Sequence, residues 1–150
     1  MIDPENTKKV ESGIYSKGEI DLGRIIESMK QNSNITKAGS IHTFTGIVRS
    51  TSKNGKSVES MKIDAYDELA NESIRKICEK LKKREEIIDV KIVHLKGEFE
   101  LTEDLVHVVV ASAHRKEGFE TISDAVEMYK KEIAVWKRED FRNGSSEWVH

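Results

Sequence analysis

The stretch IIDVKIVHLKGEFELTEDLVHVVVASAHR, residues 87–115, decides how this chain folds. Residues 87–95 and 105–113 are rich in Val and Ile, which suits two strands. Lys96-Gly97-Glu98 and the polar piece around Thr102-Glu103-Asp104 read as the joint between them. On the amino side, Ala70, Ile74, Ile77, Cys78 and Leu81 recur at helical spacing with charges between them, so residues 67–84 are the clearest helix in the chain. On the carboxyl side, Phe119, Ile122, Ala125, Val126 and Tyr129 share one face of a helix over 117–131, and residues 133–136 follow as a short strand-like piece.

Farther out, residues 40–49 alternate as a β-branched strand, and Asn54-Gly55 marks a turn-rich loop. A strand over 58–65 is expected to pair back antiparallel on the first. Residues 19–31 read as a short amphipathic helix, residues 1–17 as an irregular N-terminal arm, and the tail after Lys137 as polar until Trp148. The order predicts an α+β domain over residues 18–150, an antiparallel or mixed sheet with its helices on one side. From Val58 onward, β-α-β-β-α-β also suits a ferredoxin-like sandwich.

The chain's 150 residues can bury a core, and the periodic apolar segments argue against the disorder that 35% charged residues would otherwise bring to mind. Twenty-five basic and 27 acidic residues nearly cancel, so no bulk field favours nucleic acid or an anionic membrane. An anion site must therefore be local. Cys78 is the single cysteine, which excludes an internal disulfide and a thiolate zinc cluster, and its place on the helical stripe reads as core. The five histidines show no ligand spacing, and no window approaches a membrane span. The expectation is a soluble cytoplasmic protein without a metal.

Nucleotide loops and generic hydrolase motifs are missing, which leaves basic residues at element ends. His114-Arg115 follows a strand and immediately precedes a helix, where free N–H groups suit a phosphate, though an ordinary solvated strand end has the same pattern. Arg49 closes a strand and offers a planar guanidinium for an oxyanion. Lys130 and Lys137 are seven residues apart, ~10 Å in a helix but up to ~23 Å extended, so spacing alone does not bring them into one pocket. A lysine against Val135 and Trp136 would be partly desolvated, which frees its amine for proton transfer or attack. Seven Lys/Arg and seven Asp/Glu over residues 114–142 equally describe a mixed surface.

Taken in order, Thr-Phe-Thr-Gly-Ile-Val-Arg (43–49), Ile-Asp-Ala-Tyr (63–66), His-Leu-Lys-Gly-Glu (94–98), Ser-Ala-His-Arg (112–115), Tyr-Lys (129–130) and Val-Trp-Lys-Arg-Glu (135–139) resemble the large, catalytic subunit of molybdopterin synthase. The resemblance runs from about Gly18 to Trp148. It implies an α/β hammerhead fold in place of the ferredoxin-like one. It also implies sulfur transfer onto cyclic pyranopterin monophosphate from the thiocarboxylate of a small ubiquitin-like subunit ending in Gly-Gly. The implied assembly is a homodimer of large subunits within a heterotetramer, and no resident cofactor is implied. By motif, Lys130 and Lys137 match the catalytic lysines, and Arg49, His114 and Arg115 match the basic residues around the substrate. Both partners are anionic, so cations must hold them together. The chain departs from the pattern at Ala134, where proline is common, at Ala65 of Asp64-Ala65-Tyr66, and at Gly118, where alanine is usual. A non-catalytic scaffold or a phosphometabolite-binding module with the same fold is the alternative reading.

Overall fold

A single strand of 14 residues, β4 (Ile87–Glu100), organises the molecule in the computed structural model, which describes residues 9–149. In chain order the other elements are β1 (Gly13–Ser16), α1 (Leu22–Lys30), β2 (Ser40–Ile47), β3 (Val58–Ala65) and α2 (Asp67–Lys82) before β4. After it come β5 (Asp104–Ser112), α3 (Arg115–Glu132), β6 (Val135–Phe141) and β7 (Ser146–Val149). The strands form one sheet in the order β2-β5-β4-β3-β6-β7, with β1 beside β4. Every pairing is antiparallel except β1 with β4. The fold is α+β, as the element order predicts.

The expected joint at Lys96-Gly97-Glu98 is strand. Gly97 has φ +132, a conformation that costs a side-chain-bearing residue dearly, and through it β4 passes from one set of partners to another. Residues 87–94 pair with β5, whereas Gly97 to Glu100 pair with β3. This also corrects the expected pairing of β3 on the strand before it. Val48 N–H donates to Glu103 O and Val48 O accepts from Thr102 N–H, so the chain leaves β2 tied to the entrance of β5. The loop then delivers β3 to the far half of β4, and β3 lies between β4 and β6.

The reading of residues 1–17 as an irregular arm needs a second correction. Residues 1–8 lie outside the described residues, but Gly13–Ser16 is a strand in register with residues 93–96. Asn71 Oδ1 accepts the Ile14 N–H at 2.7 Å, which gives this polar edge a partner that periodicity does not reveal. Likewise β6 continues through Lys-Arg-Glu-Asp because both its neighbours, β3 and β7, supply a ladder.

Helices cover both faces, not one. Residues 105–112 of β5 are all buried, and alternate side chains of a strand point to opposite faces. On one face His42 and His94 meet α3 through Phe119 and Tyr129. On the other, Asp89 accepts a hydrogen bond from Asn32 just after α1, and Ile41 lines a cavity of about 590 Å³ with Lys30 and Ile35. The stripe Ala70, Ile74, Ile77, Cys78 and Leu81 of α2 is fully buried as expected, each large member contributing roughly 1.5–3 kcal/mol. No helix among the described residues is long and apolar enough to cross a membrane.

Candidate active site

The helix α3 has two chemically different ends, and the residues singled out by sequence divide between them. At its carboxyl end the helix stops at Ile133, which is extended, with its N–H still donating to Tyr129 O at 3.2 Å. The chain turns back at once: Ala134 O accepts from Tyr66 N–H, and β6 begins at Val135 against Ala65. That tight return brings Lys130, in the last turn of α3, close to Lys137, which is in register with Ile63 of β3.

Lys137 is half-buried, and burial holds its ammonium below the usual lysine value of 10.5. The charges of Lys130 and then Lys53 push the same way, and Glu139 opposes them. Among the described residues none of these three lysines forms an ion pair. Beneath them His94 is 1% exposed, its ring edge-on to Tyr129 with centroids 5.9 Å apart. Burial, and then the charge of Lys137, push the His94 pKa down to about 4, against the pull of the Leu95 carbonyl 3.1 Å from Nδ1. Burial alone pushes Tyr129 up to about 12. A neutral imidazole and a neutral phenol therefore form part of the wall beneath three amines that have no ion-paired carboxylate among the described residues.

Arg49 stands on the loop between β2 and β3, exposed, with Nε donating to Thr51 O at 2.9 Å. A Thr51–Ser57 bridge and a turn at Ser52–Gly55 close that loop and present Lys53 toward Lys137. At the other end of α3, His114 is the N-cap residue and Arg115 the first helical residue, both exposed. Fifteen residues separate Arg115 from Lys130, ~22 Å along the helix. Arg49 is just as far away, because it lies beyond the Ile47 end of β2 while His114 lies beyond the Ser40 end, a span of about 25 Å. Within one chain Lys130 and Lys137 come together, Arg49 shares a loop with their neighbour Lys53, and His114 and Arg115 stand apart.

Sequence reasoning missed Lys53, which it saw only as turn, and His94, which it saw only as part of a motif. The available signal was His94 itself, a polar ring inside an otherwise apolar run. Among the described residues no group of three His, Cys, Asp or Glu could hold a metal ion.

Residues 15–132 match the family model described as MoaE protein. The chain is 37% identical over 111 residues to the molybdopterin synthase catalytic subunit of Thermoplasma volcanium, covering 74% of this chain and 80% of that one. It is 34% identical over 110 residues to the protein of the same name from Bos taurus, of which it spans 58%. The fold superposes on molybdopterin synthase from Staphylococcus aureus with a TM-score of 0.80 at 24% identity, covering 95% and 99% of the two chains. These matches and the ordered motifs converge: the chain belongs to the MoaE protein family, whose similar members carry the name molybdopterin synthase catalytic subunit.

Proposed function

We propose that this chain is the catalytic subunit of a molybdopterin synthase. It would take sulfur from the C-terminal thiocarboxylate of a small ubiquitin-like subunit and place it on cyclic pyranopterin monophosphate, so building a dithiolene. The observation that carries this reading is the half-buried Lys137 crowded by Lys130 and Lys53, with no carboxylate in an ion pair with any of them among the described residues. Such a cluster favours an anion, and both proposed reactants are anions. Each lysine has a role that its surroundings support. Lys130, exposed at the helix end, meets the thiocarboxylate, whose sulfur bonds to the substrate carbon as a thioester. Water then attacks the acyl carbon, and Lys130 stabilises the oxyanion that forms before the acyl–sulfur bond breaks to leave sulfur on the substrate and a carboxylate on the partner. Lys137, with its ammonium disfavoured, gives a proton to the substrate oxygen that leaves the carbon receiving sulfur.

Arg49, His114 and Arg115 complete the reading as holders of the phosphate and the pterin. The ~22 Å between the two ends of α3 means that one substrate meets both sets only if a second copy of the chain lends its His114 and Arg115. A homodimer is thus part of the proposal, with a small subunit at each lysine cluster. The neighbour titled as a complex of subunits 1 and 2 of the molybdopterin-converting factor from Helicobacter pylori, with a TM-score of 0.65, has a compatible fold.

Reconstitution with a thiocarboxylated partner and cyclic pyranopterin monophosphate tests it directly. Dithiolene product should form, and Lys130→Ala and Lys137→Ala should each lower the rate by about 100-fold or more. Full activity in both variants, or binding of the partner without turnover by the parent chain, overturns the catalytic reading.

A further inference from the structure

The turn between α2 and β4 is tied to the amino half of α3 by contacts that no motif announces. Arg84 Nη1 reaches Asp124 Oδ2 at 2.8 Å and Thr121 Oγ1 at 3.2 Å. Two residues on, Glu86 has φ +73, the left-handed region that a residue with a Cβ seldom enters. In that conformation Glu86 faces the start of α3 twice. Its carbonyl accepts the Ala113 N–H at 2.8 Å, and its carboxylate Oε2 meets Nδ1 of His114. The backbone of His114 is held as well, since Ser112 Oγ donates to its carbonyl at 2.5 Å. An exposed pair of this kind adds little to stability, and both side chains are exposed at 75% and 37%. What it supplies is direction.

We propose that Glu86 is a positioning residue for His114, fixing which ring nitrogen carries the hydrogen. An ionised carboxylate only accepts, so of the two neutral tautomers only the one with hydrogen on Nδ1 satisfies Glu86. Nε2 is then left as a lone pair on a largely exposed ring, the reverse of the tautomer that unconstrained histidine favours in water. A ligand group that brings its own hydrogen, such as a hydroxyl or a pterin N–H, is what such a nitrogen binds. A free carboxylate is not. The inference rests on the reading of His114 as a residue that touches substrate, and it adds how that contact is made.

Long-range proton–nitrogen correlation spectra of the ¹⁵N-labelled full chain read the tautomer without any partner. At about pH 9, where an ordinary histidine is neutral, His114 should show hydrogen on Nδ1 and a pyridine-like Nε2. Glu86→Ala should reverse the assignment, and Glu86→Gln, whose amide oxygen still accepts, should keep it. A parent chain with hydrogen on Nε2, or an unchanged pattern in Glu86→Ala, overturns the proposal. In the reconstituted synthase Glu86→Ala should raise the KM for the pterin on the order of 10-fold, the worth of one oriented hydrogen bond, with kcat nearly unchanged and Glu86→Gln close to the parent. Full activity of His114→Ala would remove the substrate-contact reading, whereas the spectra decide the role of Glu86 by themselves, so the two fail separately.

Discussion

The two ends of α3 are both cationic, yet they are built on opposite principles. At the carboxyl end the half-buried Lys137 is repelled by the exposed Lys130 and Lys53 above a buried wall, and no carboxylate is ion-paired with them among the described residues. At the amino end His114 stands in water with Glu86 against it. A fold gains nothing from holding a half-desolvated ammonium beside like charges, so the first arrangement persists because the surrounding sheet and helix impose it. The second is inexpensive to keep. The difference teaches where the chemistry sits: a perturbed, partner-poor amine is suited to proton traffic, and an exposed, paired ring is suited to holding and aiming.

The strongest way to break this comparison is Lys137→Met, which keeps the length of the side chain and removes its charge. Activity in the reconstituted enzyme should fall by about 100-fold or more. Stability at pH 7, measured by urea unfolding, should rise by about 1 kcal/mol, because a repelled and half-desolvated ammonium has been replaced by an apolar group. The sign follows from proton counting. The Lys137 pKa is lower folded than the unfolded value near 10.5, so the folded state carries the full penalty below its own pKa and loses it as pH rises from there to 10.5. The advantage of methionine should shrink over that window. Arg115→Met at the other end should move stability by no more than about 0.5 kcal/mol. A destabilised Lys137→Met at pH 7 would show that the lysine end is not strained.

A somewhat smaller effect isolates the floor of the same end. His94 stays neutral in the folded chain down to about pH 4, while the unfolded chain takes up its proton near pH 6.5. Stability is therefore lost as pH falls through that interval, by up to about 3 kcal/mol. His94→Gln, which has no proton to take up, should lack this loss. The measurement is the difference between the two proteins in unfolding free energy at pH 7 and at pH 4.5. Parallel acid profiles would mean that His94 is not held neutral.

Much of this was legible from residues alone, and the rest was hidden for identifiable reasons. The stripe from Ala70 to Leu81 announced α2 because a 3.6-residue period leaves one reading, and the Val-rich run of β5 announced a strand, though the burial of both its faces was not foreseen. Gly97 misled because glycine after lysine looks like a turn, whereas here its positive φ lets one strand serve two ladders. β1 and the polar half of β6 were hidden because their stability comes from neighbours distant in sequence. Lys130 and Lys137 were named through family resemblance, but their meeting depends on the turn at Ile133-Ala134, which a count of seven residues cannot supply. The separation of His114 from both lysines follows from the length of α3 and was available as arithmetic once the helix was drawn.

The amino end of α3 is sharpened by a steric test of moderate size. Gly118 is buried in the helix, and a Cβ there would lie 2.2 Å from Nε2 of His42 and 2.4 Å from its Cδ2. The ring cannot simply swing away, because Nε2 is bonded to Ser40 Oγ at 2.8 Å and the edge of Phe119 packs on it with centroids 4.6 Å apart. Gly118→Ala gains up to about 1 kcal/mol in helix propensity but overpacks the site by roughly 1–3 kcal/mol, so a net loss of about 1–2 kcal/mol is expected. With His42→Ala as background the clash is gone and propensity remains, so the same substitution should stabilise by roughly 0.5–1 kcal/mol. A change of sign between the two backgrounds is the coupling that contact requires, and it is read from four urea curves. Equal costs in both backgrounds would mean that His42 does not fill the space beside Gly118, and the absence of a side chain where family resemblance puts alanine would lose its explanation. Lys137 should be indifferent to the change, because Gly118 and Lys130 are about 18 Å apart along the helix and additivity holds at that distance.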